Sequence, residues 1–184
     1  ELHPAWEPQD RDVPDLLLIN EGDHYRDASA LLPAESGHNN WGVVTGEFDN
    51  DADADFFVWR FGHLIGRVAD ILLTNDGGSF TATVDHGATK LDGGGHGDMG
   101  APFDYDGDGW LDILSGSDDQ GYWNLFRNEG GENNSISIRV GLSPDGTGPH
   151  GAEITITGNK VTGTQFRRVG SSGAVHSQGL NNLV

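Results

Sequence analysis

An acidic nine-residue pattern occurs twice in the sequence, and this repetition constrains the fold more than any other feature. Asp104–Asp112 (DYDGDGWLD) aligns without a gap with Glu47–Asp55 (EFDNDADAD), which begins 57 residues earlier. Both segments carry acids at positions 1, 3, 5 and 9 and an aromatic residue at position 2. An Asn-acid-Gly sequence has a similar period, because its asparagines stand at positions 20, 75 and 128. Two independent features with one period indicate a tandem repeat of about 55 residues.

Short apolar segments flank these turns and predict β-strands. The Asn-acid-Gly sequences at 20–22, 75–77 and 128–130 each follow an apolar run, and we expect a return strand after each, as in a hairpin. Abundant glycine, with 29 residues, and few helix-forming runs agree with a turn-rich protein. The sequence therefore predicts an all-β chain of propeller-like repeats: a partial unit at 1–40, a unit at 41–95 and a unit at 96–133.

The acidic segments have the spacing of cation loops. A hard cation such as Ca²⁺ takes six to eight oxygen ligands from a chain that curls around it, and alternate residues of such a loop point inward. For the later loop we expect ligands from four side chains and one carbonyl: Asp104, Asp106, Asp108, Asp112 and the carbonyl of Trp110. For the earlier loop the corresponding set is Glu47, Asp49, Asp51, Asp55 and Asp53, the last through its carbonyl or as additional charge. About two calcium ions are therefore expected.

Two positions distinguish these loops from each other and from an EF-hand. Position 6 is Gly109 in the later loop but Ala52 in the earlier one. If this position needs a positive φ, alanine costs about 1 kcal/mol there. Position 12 is Ser115 rather than glutamate, and an apolar run (111–114) follows the loop. A strand, not a helix, is therefore expected after it.

The pattern changes after Asn128. Alternation of polar and apolar residues predicts strands at 135–140 and 153–157, and a further strand is expected at 165–169. We interpret 134–184 as a small β domain without a cation loop. Residues 59–68 and the glycine-rich 91–98 are expected to connect parts of the repeats.

Composition excludes several classes of function. The formal net charge of −19 argues against binding to nucleic acid, which requires lysine and arginine to neutralise phosphates. No apolar run approaches the roughly 18 residues of a membrane span. Cysteine is absent, which excludes disulfides and thiolate metal sites. The eight histidines show no zinc-binding spacing, and no nucleophile elbow is present. We expect no enzyme, although counting acids does not exclude a glycosidase pair.

The repeats resemble FG-GAP/VCBS-type calcium repeats, the blades of integrin-α-like propellers. The resemblance is carried by DYDGDGWLD at 104–112 and LFRNEG at 125–130. The C-terminal part is similar to the ASPIC/UnbV domain of cartilage acidic protein and its bacterial relatives, through GPHGAEI at 148–154, GSSG at 170–173 and SQ at 177–178. The resemblance implies a secreted or cell-surface protein, structural calcium, and a role in adhesion or matrix association. It also implies propellers of about seven blades, whereas this chain holds two units and a fraction.

Two functions remain open at this point. The first is an extracellular, calcium-stabilised structural or adhesion module that self-assembles into a multimer or filament, because a short array leaves sheet edges unpaired. The second is a carbohydrate- or protein-binding fragment of a larger secreted β-propeller, with tryptophans as a sugar-stacking surface. Partners would be further copies, or an extracellular glycan or matrix component. Asn133-Asn134-Ser135 is a sequon, so Asn133 is a candidate for N-glycosylation.

Overall fold

A computed structural model describes residues 15–34, 40–60, 69–88, 99–116, 123–157, 164–170, 173–174 and 177–178. These residues form thirteen strands in antiparallel sheets, with no α-helix and one short 3₁₀ turn at Ser29–Leu31. The all-β prediction is confirmed. The strands are β1 (Leu18–Asn20), β2 (Tyr25–Asp27), β3 (Asn40–Gly46), β4 (Asp55–Arg60), β5 (Ile71–Asp76), β6 (Ser79–Thr83), β7 (Met99–Phe103), β8 (Asp112–Gly116), β9 (Trp123–Phe126), β10 (Glu153–Thr157), β11 (Thr164–Arg168), β12 (Gly173–Ala174) and β13 (Ser177–Gln178).

The most complete repeat, called unit 2 below, is a four-stranded sheet in the order β3-β4-β5-β6. Its strands are rich in aromatic and β-branched residues, which suit a pleated sheet that is buried on both faces. The hairpin β5–β6 turns through Gly77 and Gly78, because Asp76 pairs with Ser79. Both glycines have positive φ, at 60° and 92°, as a two-residue hairpin turn that matches the strand twist requires.

The neighbouring repeats form separate sheets, each equivalent to a part of the sheet of unit 2. Unit 3 consists of β7-β8-β9, and unit 1 is the hairpin β1–β2. The hairpin registers correspond, since Asn20 pairs with Tyr25 in unit 1 and Asn75 pairs with Phe80 in unit 2. The predicted hairpins at 20–22 and 75–77 are therefore confirmed.

Units 2 and 3 pack face to face, and one hydrophobic core lies on each face of unit 2. One core lies between units 2 and 3 and contains Val44, Phe48, Phe57, Trp59 and Ile113. The other lies on the opposite face of unit 2, where Val58, Ile71 and Leu73 pack with Leu32, which follows unit 1. A buried hydrogen bond of 2.9 Å from Trp59 Nε1 to Ser115 Oγ joins units 2 and 3.

Two strand predictions near the third turn are wrong. After Asn128 no return strand forms in residues 127–137, and the alternating segment 135–140 contributes only an isolated bridge at Ile138. Its side chains are mostly exposed. The strands expected at 153–157 and 165–169 are confirmed by β10 and β11, which pair with each other.

None of the described sheets closes on itself. Of the predicted connection 59–68, Trp59 and Arg60 belong to β4, while 61–68 and the second connection, 91–98, lie outside the described residues. Within the described parts, no helix has the length and apolarity needed to cross a bilayer.

Candidate metal centres

The later acidic loop joins β7 to β8 and is held by its first aspartate. Asp104 Oδ1 accepts the backbone N–H groups of Gly107 (2.7 Å) and Asp108 (3.1 Å), and Oδ2 accepts that of Gly109 (3.0 Å). Gly109 has a φ of 90°. The loop thus curls around one carboxylate, and position 6 adopts a backbone conformation that favours glycine.

Three carboxylates of this loop lie together. One oxygen of each of Asp104, Asp106 and Asp108 falls within 4.8 Å of the other two. The guanidinium of Arg127, just after β9, donates to Asp106 Oδ2 (2.7 Å) and Asp108 Oδ2 (2.8 Å). These bonds lower the pKa of Asp106. Arg127 balances charge in this loop, and the nine-residue pattern gave no sign of it.

The earlier loop joins β3 to β4 and gathers a more buried cluster, made of Glu47, Asp49 and Asp55. Glu47 Oε1 accepts the N–H groups of Asp51 (3.0 Å) and Ala52 (3.1 Å), so it organises this loop as Asp104 organises the other. Burial raises the pKa of Glu47 to about 7 and that of Asp55 to about 6. These carboxylates therefore gain from a nearby cation.

Position 6 of the earlier loop carries strain. Ala52 has a φ of 93°, and Asn50 at position 4 has a φ of 55°. The equivalent residues Gly107 and Gly109 have φ values of 77° and 90°. The requirement for a positive φ at position 6 is thus confirmed, and the alanine adopts it at a cost of about 1 kcal/mol.

A third acidic group was not predicted. Asp51 and Asp53 come within 4.8 Å of Asp76, which ends β5 beside the hairpin turn. Asp53 Oδ2 also accepts the N–H of Gly77 at 2.7 Å. The carboxylates of Asp51 and Asp53 thus group with that of Asp76 in the hairpin, although the N–H of Asp51 bonds to Glu47. The signal that was overlooked is the acid inside the Asn-acid-Gly turn itself.

The aspartates at position 9 have a different environment from the other acids. Asp55 Oδ2 accepts the N–H of Phe48 (2.8 Å), and its Oδ1 accepts the N–H of Asn75 (2.9 Å). Asp112 Oδ2 and Oδ1 accept the corresponding N–H groups, from Tyr105 (2.9 Å) and Asn128 (2.8 Å). Both carboxylates are buried. Each of them therefore fastens its acidic loop to the hairpin turn of the same unit, and Asp112 does not join the cluster of Asp104.

Side-chain amides connect the two loops across the interface between units 2 and 3. Asn50 donates to the carbonyl of Gly109 (3.0 Å), and Asn128 donates to the carbonyl of Phe48 (2.9 Å). Asn133, the sequon residue, donates to the carbonyl of Asp49 (2.9 Å) and is exposed. The earlier loop is thus linked by hydrogen bonds both to the later loop and to the segment that follows β9.

A residue of the C-terminal region also reaches the earlier loop. Arg167, on β11, donates to Glu47 Oε2 at 2.9 Å, and the pair is largely shielded from solvent. This contact joins parts of the chain that are 120 residues apart. No sequence pattern indicated this contact, because proximity between residues so far apart in the chain depends on the fold.

The donor set fits a hard divalent cation. All three groups consist of carboxylates alone, without histidine. Each carboxylate has about four lone-pair sites, so an oxygen that accepts a backbone N–H retains capacity for a metal. Oxygen ligands favour Ca²⁺ or Mg²⁺ over Zn²⁺, and an irregular loop suits the flexible coordination of Ca²⁺ better than the strict octahedron of Mg²⁺.

The side chain of Trp110, whose carbonyl was an expected ligand, packs against Gly130 and Gly131.

The chain was compared with known families and proteins. No protein-family model matches it, and no curated protein matches it significantly.

Proposed function

We propose that this chain is an extracellular, calcium-stabilised structural or adhesion module that self-assembles into a multimer or filament. The observation that carries the proposal is the repeated acidic loop between the first two strands of units 2 and 3. Each loop gathers three carboxylates within 4.8 Å and is fastened to its unit by a buried aspartate. The extracellular location rests on the resemblance to FG-GAP/VCBS repeats and on the net charge of −19.

The position of the loops supports a structural role for the ion. A bound divalent cation supplies positive charge that offsets repulsion among clustered carboxylates, which amounts to about 3 kcal/mol for a pair roughly 6 Å apart at an effective dielectric of 20. Because Asn50 and Asn128 bridge the loops, ordering one loop also supports the interface between units 2 and 3. The free energy of ion binding thereby becomes free energy of folding.

Thermal unfolding with and without calcium tests the metal-dependent part. We expect millimolar Ca²⁺ to raise the melting temperature relative to EDTA, in the affinity range of about 10⁻⁴–10⁻³ M that is typical of extracellular modules. The variant D106N/D108N should lose much of this increase. The matched control D23N/D85N removes two charges from exposed aspartates outside the three acidic groups and should retain it. An identical melting temperature in EDTA and Ca²⁺ would contradict the proposal.

One observation favours the alternative, a glycan-binding fragment of a larger propeller. Trp123 is 62% exposed, and an exposed indole provides a flat surface on which a sugar ring can stack. Titration with oligosaccharides while tryptophan fluorescence is recorded tests this function. A saturable change that Trp123→Ala abolishes would support the alternative, and a flat titration would exclude the sugars tested.

A further inference from the structure

The C-terminal part of the chain has the opposite charge to the repeats. Residues 134–184 contain four basic and two acidic side chains, whereas residues 1–133 contain six basic and 27 acidic ones. The formal net charge is therefore +2 for 134–184 and −21 for 1–133. This asymmetry attracts the C-terminal part to the acidic repeats, and dissolved ions weaken the attraction.

The hairpin β10–β11 places an arginine against unit 2. Side chains at alternate positions of a strand share a face. Phe166 and Arg168 are more than half exposed, whereas Arg167 is half-buried and Val169, just after β11, is buried. Arg167 therefore lies on the shielded face of the hairpin, and its hydrogen bond to Glu47 shows that this face meets the earlier acidic loop.

Arg167 engages the oxygen of Glu47 that still has capacity for an ion. The N–H groups of Asp51 (3.0 Å) and Ala52 (3.1 Å) account for both lone pairs of Oε1. Arg167 donates to Oε2 at 2.9 Å, which leaves one lone-pair site on the carboxylate, directly beside a fixed positive charge. Glu47 belongs to the acidic group of the earlier loop, so a divalent ion held there is repelled by the guanidinium.

We propose that Arg167 acts as a tethered cation that competes with calcium for the Glu47 carboxylate, so that filling of the earlier loop loosens the hairpin β10–β11 from unit 2. This inference rests on the calcium-binding part of the proposed function and adds a regulation of that site. The coupling is reciprocal, because the factor by which the docked hairpin weakens calcium binding is also the factor by which calcium weakens docking. A two-stranded hairpin is only marginally stable by itself, so the loss of an anchoring contact increases its local opening.

The later loop provides a comparison within the same chain. Its arginine, Arg127, comes directly after β9 of the same unit and pairs with Asp106 and Asp108. Displacing Arg127 would therefore affect unit 3 itself. Arg167 is 120 residues from Glu47 in the chain, so an ion in the earlier loop acts on a separate part of the protein.

Hydrogen–deuterium exchange followed by mass spectrometry tests this coupling in the whole chain. The buffer is held at pH 8, above the pKa of about 7 of Glu47, and calcium is raised from zero (EDTA) to about 10 mM, beyond the expected affinity range. We expect amide exchange to slow at 47–55 as the loop becomes ordered. In β10 and β11 it should become at least about threefold faster, with its midpoint at the same calcium concentration.

Substitutions at two adjacent arginines isolate the competing charge. In Arg167→Gln the calcium midpoint at 47–55 should fall at least about threefold, and exchange in β10 and β11 should already be fast without calcium. Arg168→Gln is the matched control, because it removes the same charge one residue later, from a pair with Glu153 inside the hairpin, and should keep the original midpoint. Arg167→Lys retains the positive charge, so its midpoint should lie closer to that of the original chain than to that of Arg167→Gln.

The contrary outcomes are distinct for the two ideas. Slower or unchanged exchange in β10 and β11 on addition of calcium would overturn the competition, as would an unchanged midpoint in Arg167→Gln. In either case, slower exchange at 47–55 would leave the calcium-binding part of the proposed function intact. If calcium changed exchange at 47–55 in neither the original chain nor Arg167→Gln, both ideas would fail. Faster exchange throughout, β4 included, would show general destabilisation by calcium and would also overturn the competition.

Discussion

At the scale of single residues, the acidic loops show one position under strain. Gly109 and Ala52 occupy the same place and share a φ near 90°. The nine-residue pattern identified the position and the condition under which alanine would cost energy there, and both residues do have a positive φ. Which carboxylates meet was less predictable: Asp112 lies outside the group of Asp104, Asp106 and Asp108, and its two oxygens accept N–H groups from Tyr105 and Asn128.

Ala52→Gly should therefore stabilise the protein. Glycine adopts a φ of 93° without steric cost, so we expect a gain of about 1 kcal/mol and a rise in melting temperature of about 2–4 °C. Differential scanning calorimetry in EDTA measures the change without a contribution from calcium. Gly109→Ala is the reciprocal variant and should destabilise by more, because its β-carbon would also collide with the Ser135 side chain. A destabilised Ala52→Gly would show that position 6 is not strained.

At the scale of elements, the loop and the hairpin of each unit act as a pair. The repeat allowed both to be predicted, since the acidic pattern and the Asn-acid-Gly turn recur together. The contacts that join them were not predictable, because the residues come from separate elements: Asp76 meets Asp51 and Asp53, and Arg127 meets Asp106 and Asp108. The alternation at 135–140 was misleading for a related reason. A period of two indicates a strand only where a neighbouring strand pairs with it.

Arg127→Gln should raise the affinity of the later loop for calcium. The guanidinium repels an incoming divalent cation and engages one oxygen of each of Asp106 and Asp108, so its removal frees ligands and lowers the repulsion. We expect binding to tighten by about three- to tenfold at low ionic strength, since the site is partly exposed and screened. Isothermal titration calorimetry measures this. Arg168→Gln, which removes a charge paired with Glu153, is the control and should bind as the original chain does. Weaker binding after loss of Arg127 would show that the arginine organises the loop rather than competing for it.

At the scale of the whole molecule, the order of the repeats could be predicted from the sequence, but their mutual contacts could not. The stacking of unit 3 on unit 2 depends on pairs such as Trp59 and Ser115, which are 56 residues apart. Gly100 belongs to the same interface, because a β-carbon there would strike the Trp59 ring. The salt bridge from Arg167 to Glu47 likewise links the C-terminal region to unit 2. Such contacts follow from three-dimensional packing, for which a single sequence carries no direct signal.

The burial of Glu47 predicts that the protein becomes less stable as the pH rises toward neutrality in calcium-free buffer. Folded Glu47 has a pKa of about 7, raised by burial from 4.5, so between these values the folded state holds a proton that the unfolded chain releases. The contribution of Glu47 to the free energy of unfolding is fully present below pH 4.5 and is lost as the pH rises through 7. Its upper bound is about 3 kcal/mol. Urea unfolding at pH 5 and pH 8 measures it.

Two comparisons isolate the glutamate. Glu47→Gln should remove this part of the pH dependence. The raised pKa of buried Asp55 acts in the same direction as that of Glu47, the lowered pKa of half-buried His86 acts in the opposite direction, and both persist in the two proteins. Calcium should also suppress the effect, because a cation favours the ionised carboxylate. Equal pH profiles for Glu47→Gln and the original chain would show that Glu47 is ionised throughout.

The hydrogen bond from Asn50 to the carbonyl of Gly109 couples the two loops and should therefore affect how their calcium sites fill. An ion that orders one loop also restrains the backbone of the other loop. The second ion then causes a smaller loss of conformational entropy, so its binding is more favourable. Occupancy should then respond to calcium more steeply than two separate sites would, with a Hill coefficient above one. A module built this way changes its rigidity over a narrow interval of ion concentration.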